Sequence, residues 1–112
     1  MLNAVFEERG RVIILTVTGE LNINNAGILE KLFQEQLPKK PEAIGINCKS
    51  LKSIDSSGLG LFIKLTNTAK SSGFELIFYD LTGNVTSLFD LSKLDRYFTI
   101  MSKSEFEGQY PA

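Results

Sequence analysis

The sequence predicts an α/β fold: a single domain with a mixed, mostly parallel sheet, entered through an antiparallel N-terminal pair, and about four helices. Three observations carry this expectation. Two β-like runs at the N-terminus are separated only by Arg9-Gly10, a gap that suits a hairpin. Downstream, β-rich segments alternate with segments of helical periodicity, the pattern of parallel strands joined by crossover helices. The chain of 112 residues is 43% apolar, which supplies one real core and suits one domain over residues 1–112.

The elements follow in order. Residues 3–8 and 11–18 are the hairpin strands, and the second, Arg11 to Thr18, is rich in β-branched residues, which favour strands. Gly19-Glu20-Leu21-Asn22 then breaks the strand. From Asn24 to Leu37, Ala26, Leu29, Leu32, Phe33 and Leu37 recur at spacings of three and four, with Glu30, Lys31 and Glu35 on the other face. That is an amphipathic helix. Asn22 or Asn24 suits its N-cap, and Pro38 ends it. Residues 42–48 are a short buried strand, with Cys48 half-buried at its end. A second helix spans Ser56 to Ser71, capped by Asp55 and ended by Gly73. Residues 74–79 are a strand, 82–91 a helix with Val85, Leu88, Phe89 and Leu91 at helical spacing, 97–101 a last short strand and 102–107 a closing helix.

Composition narrows the function. Twelve basic and thirteen acidic side chains give a net charge of −1, which argues against a nucleic-acid binder. The basic cluster at Lys39 and Lys40 reads as a solvated loop. There is no histidine, so the commonest general base and metal ligand are missing. The lone Cys48 cannot form an internal disulfide. No metal, cofactor or catalytic set is expected, and the chain does not read as an enzyme. No apolar run reaches the roughly 20 residues that span a bilayer, and the N-terminus lacks a signal-peptide pattern. A cytoplasmic protein is the expectation.

The informative stretch is Asp55-Ser56-Ser57-Gly58-Leu59-Gly60. A helix start leaves N–H groups without intrahelical partners and carries partial positive charge. Serine there is either a cap or a phosphate site. A cap accounts for one polar residue. It does not account for both glycines, since each costs about 0.8–1.0 kcal/mol relative to alanine inside a helix. Glycines at 58 and 60 would let a kinase or partner approach the backbone. The broad apolar content of the same helix leaves two readings: packing on the sheet, or exposure of Leu61 or Leu65 as a docking patch.

On these residues the chain resembles the STAS-domain family, specifically the bacterial anti-sigma factor antagonists. The resemblance runs through Thr18-Gly19-Glu20-Leu21-Asn22, the strand 43–48, Ile54 to Gly60, and Ser87 to Leu94. It implies that Ser56 is phosphorylated by an anti-sigma factor that is itself a serine kinase. It implies that the unphosphorylated form binds that kinase and frees a sigma factor, and that a PP2C-like phosphatase reverses the modification. Asn22, Asn24, Asp55, Ser57, Gly58, Leu59 and Gly60 then surround the site as its partner-binding surface. Many family members carry aspartate where this chain has Asn22; asparagine keeps the hydrogen-bonding shape and loses the charge. Two rival readings are an unswitched scaffold subunit of a lipid-transport or signalling complex and, ranked last, a nucleotide-binding module.

Overall fold

The protein was described from a computed structural model, and the structure describes residues 2–111. The hairpin forms as expected. β1 (Leu2–Arg9) pairs antiparallel with β2 (Val12–Leu21) around a turn in which Gly10 has φ +62°. That φ lies in the region that favours glycine. β2 does not stop at Gly19. Gly19, at φ +103°, marks a bulge, and the strand continues to Leu21. This extension gives β2 a second partner beyond the reach of β3 (Ala43–Asn47).

That partner, β4 (Leu51–Ile54), was not legible in the sequence, where no element was expected between the strand 42–48 and the Asp55 cap. It is four residues long and pairs only with the end of β2. Its side chains do not alternate cleanly between core and solvent. β5 (Glu75–Tyr79) and β6 (Thr99–Met101) complete a sheet of order β1-β2-β3-β5-β6, all parallel after the hairpin.

The helices are α1 (Ala26–Gln34), α2 (Ser56–Ser72), α3 (Gly83–Leu91) and α4 (Lys103–Gln109). α1 is shorter than its periodicity suggested. Pro38 lacks an N–H and cannot extend a helical ladder, and Leu37–Lys39 instead form a separate 3-10 turn. α2 ends on Gly73 at φ +79°, whose N–H donates to the Ala69 carbonyl. A short left-handed glycine stop of this kind satisfies an orphan carbonyl.

One face of the sheet carries the main core. Leu15, Val17, Ile44, Ile46 and Phe78 pack there against α1, α2 and α3. Phe62 of α2 lies 4.6 Å from Phe78 between ring centroids. Leu61 and Leu65 are both buried, so the docking-patch reading for them does not hold: the broad apolar content of α2 is spent on packing. Cys48 is also fully buried and sits just past β3, not half-buried within it. Burial pushes its thiol pKa up, and nearby Asp80 adds to the shift. The folded value lies above the ordinary thiol value of about 8.5. The neutral thiol's contribution to stability is therefore full below that pH and declines as pH rises through it. Cys48 is expected to ignore a disulfide reagent in the native protein at pH 8 and to react fully in urea, as read by absorbance of the released thiolate.

Among the described residues, α4 and Tyr110 just after it cover the other face. Phe106 of α4 stacks on Tyr79 at 4.2 Å with the rings 5° from parallel. The close approach depends on Gly45 of β3, because a Cβ there would overlap the Phe106 ring, with Cε1 2.6 Å away and Tyr79 Cε1 at 3.1 Å. Gly45→Ala is expected to lift α4 off the sheet and raise amide exchange over 103–109 at least tenfold, measured by hydrogen exchange.

Candidate functional site

The chain leaves the sheet at β4 and turns directly into α2. Asp55 occupies the turn with extended backbone, and its Oδ1 accepts from the Gly58 N–H at 3.0 Å. This N-cap satisfies one orphan donor and contributes about 1 kcal/mol. The same carboxylate does a second job. Its Oδ2 accepts from the Ile23 N–H at 3.2 Å, while the Asp55 N–H donates to the Leu21 carbonyl at 3.1 Å. Asp55 therefore buckles the loop between β2 and α1 onto the start of α2.

That loop is held by its asparagines. Asn22 Oδ1 accepts from the Asn24 N–H at 2.9 Å, and Asn25 Oδ1 accepts from the Asn22 N–H at 2.9 Å. Asn25 Nδ2 donates to the Glu20 carbonyl at 2.9 Å. The α1 N-cap is Asn25, not Asn22 or Asn24, and its side chain faces backward into the loop instead of capping. Asn22 supplies the helix start through its backbone carbonyl, which accepts from both Asn25 and Ala26 N–H groups. The oxygen of its side chain is engaged in its own turn.

Ile23, at the tip of this loop, is 75% exposed. A single exposed isoleucine is ordinary, but here it sits on a turn that Asp55 ties to the start of α2. Ile23 and Asn25 were missed in the sequence, and Glu20 was read only as part of the Gly19-Glu20-Leu21-Asn22 break. The run Asn22-Ile23-Asn24-Asn25 did carry a signal, since consecutive asparagines build such side-chain-to-backbone turns.

The motif residues divide sharply. Ser56, in the first turn of α2, is exposed, and Ser57 is half-buried. Gly58 and Leu59 are buried, and Gly60 is exposed. The expectation that both glycines open the backbone to a partner fails for Gly58. A Cβ there would lie 2.6 Å from Ile54 Cγ1 and 2.9 Å from Leu21 Cγ, so Gly58 serves the packing of α2 against β2 and β4. At Gly60 a Cβ would meet nothing within 4 Å. Gly60 therefore leaves open surface one turn along from Ser56. Beyond it, Lys64 pairs with Glu30 of α1 at 2.6 Å.

Chemically, Ser56 is an exposed hydroxyl at the positive end of a 17-residue helix, with a carboxylate on one side. Among the described residues no titratable base hydrogen-bonds it, and no group of three His, Cys, Asp or Glu side chains could hold a metal. The hydroxyl can accept a group that another protein delivers.

Comparison with known proteins gives the family. The STAS domain model matches residues 3–106. The chain belongs to the STAS-domain family. This STAS domain is 29% identical over 105 residues to the anti-sigma-B factor antagonist of Bacillus subtilis, covering 93% of this chain and 94% of that one. A Thermotoga maritima crystal structure, described as that of a candidate anti-sigma factor antagonist, superposes with a TM-score of 0.86. It is 29% identical and covers 97% of this STAS domain and 95% of its own chain. The unphosphorylated form of the anti-sigma factor antagonist SpoIIAA shares the fold, with a TM-score of 0.78 at 19% identity over 96% of this chain and 95% of that one. The expected mixed sheet with its antiparallel N-terminal pair is thus borne out in architecture and in kinship.

Proposed function

We propose that this STAS domain is a phosphorylation-regulated binding module. It sequesters an anti-sigma factor that is also a serine kinase, and so releases a sigma factor. Ser56 is the acceptor, a PP2C-like phosphatase resets it, and the exchange takes place in the cytoplasm. The observation that carries the reading is the exposed Ser56 hydroxyl at the start of α2, beside the exposed Ile23 that Asp55 holds in place. Kinship supports it: relatives of this chain are named as antagonists of anti-sigma B and anti-sigma F factors. A structure of SpoIIAA in a phosphorylated form shares the fold. Asn24, Ser57, Leu59 and Gly60 complete the neighbourhood of the acceptor, with Asn22 and Gly58 shaping it from beneath.

The test is phosphorylation by the cognate kinase with ATP, followed by mass spectrometry of the modified peptide. Phosphate on Ser56, and none in Ser56→Ala, is the expected result. Modification at Ser57 or elsewhere, or an Ser56→Ala protein that is still labelled, would overturn it.

One observation favours the unswitched scaffold as a second reading. Asn22 brings no carboxylate to the site, and its Oδ1 is engaged by the Asn24 N–H. The same labelling experiment decides, because a scaffold takes up no phosphate.

A further inference from the structure

A second surface lies beyond the carboxyl ends of β5 and β6, between α3 and the start of α4. It shares no residue with the Ser56 site. We propose that this cleft docks a segment of a partner protein that carries apolar side chains flanked by cations.

The cleft measures about 440 Å³, within the range of about 300–1,000 Å³ typical of binding clefts. Leu81, Phe89, Ile100 and Met101 supply its apolar lining. Phe89 is 1% exposed, whereas Ile100 keeps 36% of its surface in solvent. α3 then ends on Leu91, which is 82% exposed. A single exposed apolar side chain is ordinary. An exposed isoleucine in the wall of a cleft that also holds Leu81 and Met101 marks a surface suited to being covered.

Charge identifies what covers it. Asp80, Asp90 and Glu105 line the cleft, and no lysine or arginine does. The ion pairs among the described residues, Arg9–Glu7, Lys39–Glu8, Lys64–Glu30 and Lys103–Glu107, leave all three carboxylates unneutralised. A phosphate, a nucleic acid or an anionic lipid would be repelled. A cationic segment would be attracted, and the apolar floor selects one that also carries leucine-like side chains.

The walls are preformed, which lowers the ordering cost of binding. Thr82 Oγ1 and Asn84 Nδ2 pin the start of α3 to the Leu51 and Lys52 carbonyls at 3.1 Å each. Phe89 is wedged against Phe98 with ring centroids 4.8 Å apart. A reciprocal capping box between Ser102 and Glu105 fixes the start of α4.

The test uses three synthetic peptides of equal length, alternating arginine with leucine, arginine with serine, and glutamate with leucine. Each is titrated into the isotopically labelled full chain, and amide shifts are mapped by NMR. The expected result is saturable binding of the arginine–leucine peptide alone, at least tenfold tighter than either control. The shifts should centre on Leu81, Thr86, Asp90 and Ile100. Asp90→Asn, at an exposed position, should weaken it at least fivefold with unchanged melting temperature, and Ile100→Ser should weaken it at least fivefold while the amide shifts of α1 and α2 stay those of the folded parent. No binding, equal binding of the arginine–serine peptide, or shifts centred on Glu7 and Glu8 would overturn the proposal. Because no arm requires Ser56 or a kinase, its outcome is independent of the switch.

Discussion

Gly58→Val is expected to destabilise the protein by about 1–2 kcal/mol net, while Gly60→Ala stabilises it by up to about 1 kcal/mol. The two glycines are two residues apart in one helix, so propensity alone treats them alike. Alanine in place of glycine gains about 0.8–1.0 kcal/mol in a helix interior. Packing separates them. At Gly58 the first added carbon meets Ile54 Cγ1 at 2.6 Å and Leu21 Cγ at 2.9 Å. Both are branch-point or mid-chain atoms wedged between α2 and the sheet, and Leu21 is 1% exposed. Forcing extra carbons into a filled contact costs about 1–3 kcal/mol, which outweighs the propensity gain. At Gly60 nothing opposes that gain.

Thermal melting followed by circular dichroism reads both changes. At roughly 4 °C per kcal/mol for a chain of this size, Gly58→Val should melt about 4–8 °C below the parent and Gly60→Ala up to about 4 °C above it. A Gly58→Val protein that melts with the parent would refute the packing role. The contrast also reaches the site. The Gly58 N–H is the donor to Asp55 Oδ1, so pushing Gly58 off the sheet moves the cap, and with it Ser56 and the Ile23 loop.

The sequence made the fold legible wherever an element owns its signal. The hairpin announced itself by β-branched density around Arg9-Gly10, and α2 by Asp55 at one end and Gly73 at the other. β4 stayed hidden because its existence depends on β2 running past Gly19, a bulge that reads as a strand break. A strand of four residues that pairs only there has no periodicity to display. The over-long α1 has a similar cause. Leu37 continues the apolar spacing, and the half-buried position it occupies in the 3-10 turn satisfies the same pattern.

Site residues were legible as a motif but not as roles. Asp55-Ser56-Ser57-Gly58-Leu59-Gly60 marks where the helix begins. It does not reveal that Asp55 also holds Ile23, because that contact joins residues 32 apart. Nor does it show that Gly58 faces inward and Gly60 outward. The helical phase that decides this is set by Leu59, Phe62 and Leu65 against the sheet.

Ser56→Asp is expected to weaken binding of an anti-sigma factor partner at least 100-fold, with the melting temperature unchanged or slightly raised. The fold tolerates the charge because Ser56 is exposed in the first turn of α2. An acidic residue there interacts favourably with the helix dipole, by about 0.3–1 kcal/mol. The complex does not tolerate it. A partner that covers Ser56 must also cover Asp55, and no cation is paired with Asp55 among the described residues. Desolvating a second adjacent carboxylate without a counter-charge costs several kcal/mol, and about 2.7 kcal/mol is already 100-fold in affinity.

Ile23→Ser gives the companion measurement. Losing a buried isoleucine side chain removes about 1.5–3 kcal/mol, which predicts a loss on the order of 10- to 100-fold without a new charge. Magnitude separates the two. A carboxylate desolvated under the partner is screened little by salt, so the Ser56→Asp penalty should persist as ionic strength rises from 50 to 500 mM (about 14 to 4 Å of screening length), and the Ile23→Ser penalty should persist with it. Calorimetric titration at both salt concentrations reads all four values. If Ile23→Ser weakens binding and Ser56→Asp does not, the loop is a docking element without a switch, and the scaffold reading replaces the regulated one.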